Sequence, residues 1–423
     1  MKILIKEAKI IDSSSKHNGK ICDILINNNK IEKIAKKIQI DSETKIFKSD
    51  NLHISQGWLD MHVNFGQPGF EQRETIENGL NVAAKGGYTE VLLMPNTNPS
   101  IDNSSMIDFI KSFSKKHIVN IQVAGNLTIN QEGKNIVEIH DMTKNGCIAF
   151  TDDKKSIQNN ELMKIALLYM KNSDALLMNY PNDIKMQNKG VINEGKISTQ
   201  LGLKGIPNIA EEMMLDRDIS LCKYTDGRIH ESYISTEKSV DKIKQAKEDG
   251  INISADVALH NIFLTDESVN NFDTRFKVLP PLRTNIDNKA IVKGLKNGTI
   301  DVITTDHSPF EVETKKIEFD NAEFGIIGLE TAFGLINKNL EKHLSINQII
   351  EKIANNPRKI LGLDNYTIEE GNKANLTIFN PEIEWLLEEN DTLSKSKNSP
   401  FFGEKLKGKA LGIYNNNKFK EIN

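Results

Sequence analysis

The chain has little of what builds covalent, membrane-bound or strongly charged proteins. Three cysteines occur in 423 residues, Cys22, Cys147 and Cys222, far apart and without a CxxC pair. That spacing argues against a disulfide framework and a structural zinc knuckle, and leaves buried free thiols as the expectation. No segment approaches the roughly 20 consecutive apolar residues of a membrane helix. The N-terminus alternates Lys2, Ile3, Leu4, Ile5 and Lys6 without the apolar core of a secretory signal, so a cytoplasmic protein is expected. Charge of neither sign dominates, with 54 Lys+Arg against 58 Asp+Glu and a net charge of -4. Such a balance gives no sign of a nucleic-acid or anionic-membrane partner.

What is present is a globular composition, 38% hydrophobic and 26% charged, on a chain long enough for one large domain or a large domain plus a small one. Both ends read as short strands: residues 2–11, 22–27 and 30–34, then 374–379 and 409–414, with Asn28-Asn29 and Asn415 to Asn417 as turn signals. Residues 1–53 and 371–423 are therefore expected to form one small β-sandwich domain from both termini. Between them, over 54–370, apolar strand-like runs alternate with helix-period segments, the pattern of parallel βα units. The strands are expected at 54–65, 90–96, 118–125, 147–153, 175–180, 228–235, 251–257 and 301–306. Helices fit at 74–85 and 238–248, where Val240, Ile243 and Ala246 recur at three-residue spacing. Eight such units make an α/β (β/α)8 TIM-type barrel, whose active site lies at the C-terminal ends of the strands.

One of those strand ends reads Asp60-Met61-His62-Val63-Asn64. Residues i and i+2 of a strand point to the same side, so His-x-His at this place would direct two imidazoles at one metal ion. Here the second imidazole is replaced by a neutral carboxamide, a poor zinc ligand. Asn96, Asp153, Asn179, Tyr233 and Asp306 fall at or near other strand ends. Alone, a histidine at a strand end is more often a hydrogen-bonded structural residue than a ligand; Asp306 alone reads as a turn cap, and Asp153 as a solvated loop acid beside Asp152.

The ordered set Gly57-Trp58-Leu59-Asp60-Met61-His62, Met94-Pro95-Asn96-Thr97-Asn98-Pro99, Phe150-Thr151-Asp152-Asp153, Pro280-Pro281-Leu282-Arg283, Thr305-Asp306-His307-Ser308-Pro309 and Gly325-Ile326-Ile327-Gly328-Leu329-Glu330 closely resembles the dihydroorotases of the amidohydrolase superfamily. These are cyclic-amide hydrolases of pyrimidine biosynthesis. The resemblance implies a bimetal centre at His62, Asn64, Asp153, Asn179, Tyr233 and Asp306. Only His62, Asp153 and Asp306 keep ligand types, while Asn64, Asn179 and Tyr233 are degenerate positions. At most one divalent metal, with zinc as first choice, or none, is the expected cofactor state; a tyrosine must lose its proton to ligate well. His230 and His260 match no ligand position and are read as structural, and His307 as a hydrogen-bonding neighbour of the site.

The substrate side is altered too. The resemblance puts a carboxylate-gripping arginine at Gly66, a polar Asn at Leu279 and a His at Phe310, whereas Asn96 remains for substrate binding. Losing a charge-assisted bond of ~1.5–3 kcal/mol should weaken dihydroorotate binding by one to two orders of magnitude or more.

Three functions follow. The first is a non-catalytic dihydroorotase homologue that partners aspartate transcarbamoylase, as inactive chains of this family do. The second is an active hydrolase with one zinc on His62, Asp153 and Asp306, with Asp306 as the catalytic proton shuttle. The third is a binding module for another small molecule in the barrel mouth. A homo-oligomer is expected in each case. If the mouth is an emptied active site, Asn64→His, Asn179→His and Tyr233→His should rebuild two metal positions, with Gly66→Arg restoring substrate affinity.

Overall fold

Residues 1–173 and 175–422 are described by the computed structural model. Eight parallel strands form the central sheet: β1 Trp58–Val63, β2 Tyr88–Leu93, β3 Asn120–Gly125, β4 Cys147–Phe150, β5 Leu176–Asn179, β6 Ile229–Glu231, β7 Ile253–Ala258 and β8 Val302–Thr304. They pair in chain order. The first and last meet where Val63 bridges His307 and the Asn64 N–H donates to the His307 carbonyl at 2.8 Å, so the barrel is nearly closed.

Both faces of a parallel barrel are covered, which is why β1 and β2 are buried at every position. Leu59, Met61, Leu92, Met94, Ala124, Ala149, Leu176 and Met178 fill the interior. The alternate residues pack outward on the helices. The helix at Ile76–Lys85 is N-capped by Thr75, and Glu237–Glu248, capped by Thr236, buries Val240, Ile243 and Ala246 as their spacing predicts.

The helix Asn208–Thr225 follows another rule. It exposes Ile209 and Met213 but buries Glu211 and Asp218, because Glu211 accepts bonds from the Ser235 and Thr236 N–H groups and Asp218 from the Asn179 amide at the end of β5. Polar satisfaction of buried groups outweighs the usual facing of apolar side chains here.

The terminal strands form a separate sheet in the order Lys418–Glu421, Lys405–Asn415, Leu376–Leu386, His53–Gln56, Lys2–Ile10, Ile21–Asn27 and Lys30–Ala35, with Lys45–Phe47 beside Lys2–Ile10. The run expected as one strand over 54–65 is two. His53–Gln56 pairs in the terminal sheet and β1 opens the barrel. Gly57 lies between them because a Cβ there would meet Asn375 Oδ1 at 1.9 Å and Thr89 Oγ1 at 2.1 Å. The three cysteines are free and buried, as expected.

Candidate functional site

The polar residues gather at the C-terminal ends of the strands, and the backbone there is bent. Asp153 after β4, Tyr233 after β6 and Asp306 after β8 have φ of 48°, 60° and 48°. Left-handed conformations are costly for such residues, above all for a bulky tyrosine, and persist only where neighbours hold them. Asp256 Oδ1 accepts the Tyr233 N–H at 2.8 Å, and Thr151 Oγ1 accepts the Asp153 N–H at 2.9 Å. These bonds hold the loops in their unusual shape.

His62 is turned to Asp256. Its Nε2 lies 2.6 Å from Asp256 Oδ2, and His230 Nε2 lies 2.8 Å from the same oxygen. Burial opposes the His62 charge, but the Asp256 carboxylate outweighs it and raises the imidazole pKa. On Asp256 burial likewise acts first, in the upward direction, and the two histidines overcome it to hold the carboxyl well below its usual range. His230, read from sequence as merely structural, is thus a direct partner of the site.

Asp306 faces Lys154. The ammonium lies 2.7 and 2.9 Å from its two oxygens, with the lysine side chain 17% exposed and the aspartate 0%. Burial, followed by the opposing Lys154 charge, leaves the Asp306 pKa raised. Lys154 Nζ also stands 5.0 Å from the centre of the Tyr233 ring, whose hydroxyl donates to Asp153 Oδ1 at 3.1 Å. Asn96 donates to Asp153 Oδ2 and to Asn64 Oδ1, the latter at 2.8 Å. Asn64 in turn donates to Ser308 Oγ at 3.2 Å. The arrangement is a closed polar lattice in which charges are paired inside the protein.

Asn179 does not face the mouth. Its amide donates to Asp218 Oδ2 at 2.8 Å, on the helix Asn208–Thr225. In the sheet it pairs with Glu231, as Met178 does with the inward His230, so Asn179 and Glu231 point toward the helix layer. His260 Nε2 comes within 3.9 Å of Asp306 Oδ2, beyond hydrogen-bonding distance, and has no other partner among the described residues. The His307 imidazole, expected to bond into the site, instead accepts the Gly328 N–H at 3.2 Å through Nδ1, and only the His307 backbone carbonyl meets Asn64.

A cavity of about 420 Å³ opens above the lattice. Asn64, Asn96, Asp153 and Lys154 line it, with Phe70, Arg73, Phe310 and Phe324 on the walls, whereas His62, Tyr233 and Asp306 do not reach it. Leu279 packs with Tyr180, Ile206 and Tyr233 beneath Phe324, filling space with apolar side chains. Arg73 was not picked out by the sequence reading. Its guanidinium lies 4.5 Å from the Phe70 ring centre and 4.6 Å from that of Phe310, and Nε donates to Glu311 at 3.1 Å. Gly66 has no space for a side chain, since a Cβ would lie 2.0 Å from the Phe70 carbonyl oxygen.

The residues expected to hold a metal do not fit one. Both Asp306 oxygens are taken by Lys154, both Asp153 oxygens accept side-chain donors, Asn64 Oδ1 accepts from Asn96, and His62 Nε2 is on Asp256. Burial, then the Asp153 charge, pushes the Tyr233 phenol well above its usual range, so it stays neutral. Among the described residues, one trio brings ligand atoms within 4.8 Å of one another: His62, His230 and Asp256. There, however, both imidazoles share one carboxylate oxygen at hydrogen-bond separation, and the other oxygen is held by Tyr233 N–H. Of the missed residues, Lys154 had one signal in the sequence, a cation directly following an acid at a strand end; His230 and Asp256 had none.

Residues 53–239 match the family model described as Dihydro-orotase-like. A protein named Dihydroorotase from Thermoanaerobacter sp. (strain X514) is 42% identical over 411 residues, covering 96% of this chain and 94% of the relative. Another of that name from Acetivibrio thermocellus is 41% identical over 409 residues, covering 96% of each. Among solved structures, the L-hydantoinase (dihydropyrimidinase) from Arthrobacter aurescens superposes with a TM-score of 0.87 at 19% identity, over 99% of this chain and 96% of that one. The dihydropyrimidinase from Brevibacillus agri NCHU1002 gives 0.85 at 18% identity, over 100% and 95%. Likeness to hydantoinases at such identity concerns the fold alone, whereas identity above 40% along almost the whole length places this chain in the dihydroorotase family.

Proposed function

We propose that this member of the dihydroorotase family has given up cyclic-amide hydrolysis and serves pyrimidine biosynthesis as a non-catalytic partner of aspartate transcarbamoylase. One observation carries the loss of catalysis: Asp306, the residue at the proton-shuttle position, is 0% exposed and has both oxygens on the Lys154 ammonium. A general base must come within hydrogen-bond reach of the proton it moves, and Asp306 offers no free oxygen to the cavity. The neutral Tyr233 and the outward Asn179 fit the same reading. The partner comes from the family resemblance, in which inactive chains stabilise aspartate transcarbamoylase. A homo-oligomer remains part of the proposal.

The name shared by relatives more than 40% identical favours a second reading, an active dihydroorotase working with a single divalent ion, zinc first. For that function Asp306 must leave Lys154. The deciding experiment assays dihydroorotate formation from carbamoyl aspartate, and its reverse, and runs the chain with aspartate transcarbamoylase on size-exclusion chromatography. Co-elution without turnover is expected. Independent elution at physiological concentration removes the partner role, and turnover removes the non-catalytic one.

A further inference from the structure

We infer that the Lys154 ammonium is the resident cation of the barrel mouth, balancing the charge of Asp306 in place of a metal ion. The inference goes beyond the proposed function and stands whether or not the chain binds aspartate transcarbamoylase.

A carboxylate with no solvent exposure stays ionised only beside a counter-charge, because burying the charge alone is prohibitive. Among the described residues around Asp306, one cation makes hydrogen-bond contact with it. His62 has committed Nε2 to Asp256, and His260 Nε2 stops at 3.9 Å, whereas Lys154 Nζ makes two contacts of 2.7 and 2.9 Å. Its route is fixed by the chain. Lys154 directly follows Asp153, whose φ of 48° belongs to the bend after β4, so the ammonium enters from the same loop as the acid. Tyr233 completes the enclosure, its ring centre 5.0 Å from Nζ and its hydroxyl on Asp153.

This placement also opposes metal binding. A divalent ion bound to Asp306 would have to displace the ammonium from both oxygens, or sit beside it as a like charge in a site shielded from water. The barrel mouth has therefore exchanged a diffusible cation for a tethered one.

The test combines metal content with thermal melting of the full chain. Wild-type protein grown with added zinc and manganese should carry substoichiometric metal after dialysis, and a chelator should leave its melting temperature unchanged. Lys154→Met should lower the melting temperature by several degrees, and Asp306→Asn placed on that background should recover most of the loss, because the uncompensated charge is gone. Lys154→Ala, which leaves room, should be stabilised by methylammonium chloride more than by equal sodium chloride, with no such difference for wild type. If Lys154→Met does not fold, the double variant still reports: a folded double variant supports the inference, and an unfolded one beside a folded Asp306→Asn single variant overturns it. Stoichiometric metal whose removal lowers the wild-type melting temperature would also overturn it, as would a Lys154→Met protein that melts like wild type. Failure to co-elute with aspartate transcarbamoylase would sink the partner proposal and change none of these outcomes.

Discussion

His62 Nε2 and Asp256 Oδ2 lie 2.6 Å apart inside the barrel, each less than 2% exposed. The pairing commits His62 Nε2 to Asp256, not to Asp153 or Asp306. It joins β1 to β7, strands that are not sheet neighbours, through one carboxylate that also holds His230.

Asp256→Asn should destabilise the protein by about 3–5 kcal/mol in urea unfolding, the usual cost of removing one partner of a buried charged pair. His62→Gln should cost less, since His230 still holds the Asp256 carboxylate. A change of under ~0.5 kcal/mol for Asp256→Asn, the range of an ordinary surface substitution, would show that the carboxylate is not the hub described.

Activity should be near the detection limit in both directions, with added zinc or manganese as without. A turnover of about 1 s⁻¹, within the ordinary range of enzymes, would sink the non-catalytic reading. Should activity appear, Asp306→Asn is expected to abolish it, because an amide cannot accept and return the proton.

Rebuilding two metal positions by Asn64→His, Asn179→His and Tyr233→His, attractive from the sequence, should fail in the triple variant. Position 179 faces Asp218, and Lys154 still occupies both Asp306 oxygens. Elemental analysis is expected to find no second equivalent of zinc in that variant. Gly66→Arg should lower stability without creating a substrate grip, since its Cβ would lie 2.0 Å from the Phe70 carbonyl. Two equivalents of bound zinc would show that these side chains can reorient together.

Acid should weaken the fold through His307, whose buried imidazole has its pKa lowered to about 3 by desolvation. The folded value lies below the unfolded one of about 6.5, so the unfolded chain binds the extra proton. Stability from this group is complete above the unfolded pKa and falls by about 1.4 kcal/mol per pH unit as pH drops below it, toward the folded value. Asp60 and Asp152, both raised to about 6 by burial, act in the opposite direction as they take up protons in the folded state. Denaturation of wild type and His307→Gln at pH 7 and pH 5 separates the terms. The variant should lose less stability between the two pH values, and equal losses would mean that His307 is not held neutral.

The barrel and the terminal sheet were legible in the sequence because both depend on local patterns. Apolar runs such as Tyr88–Leu93 and the three-residue spacing of Val240, Ile243 and Ala246 report burial one element at a time. The family motifs fixed the loops that carry His62, Asp153 and Asp306, and with them the location of the mouth. They did not fix where those side chains turn. The partners Asp256 for His62, Lys154 for Asp306 and Asp218 for Asn179 come from different strands, loops or helices. Which charge meets which is decided only when the barrel closes, because most buried polar groups are then satisfied by a partner within about 3 Å. For the same reason Gly66 reads as a lost arginine in the sequence but as a position with no room for a side chain in the fold.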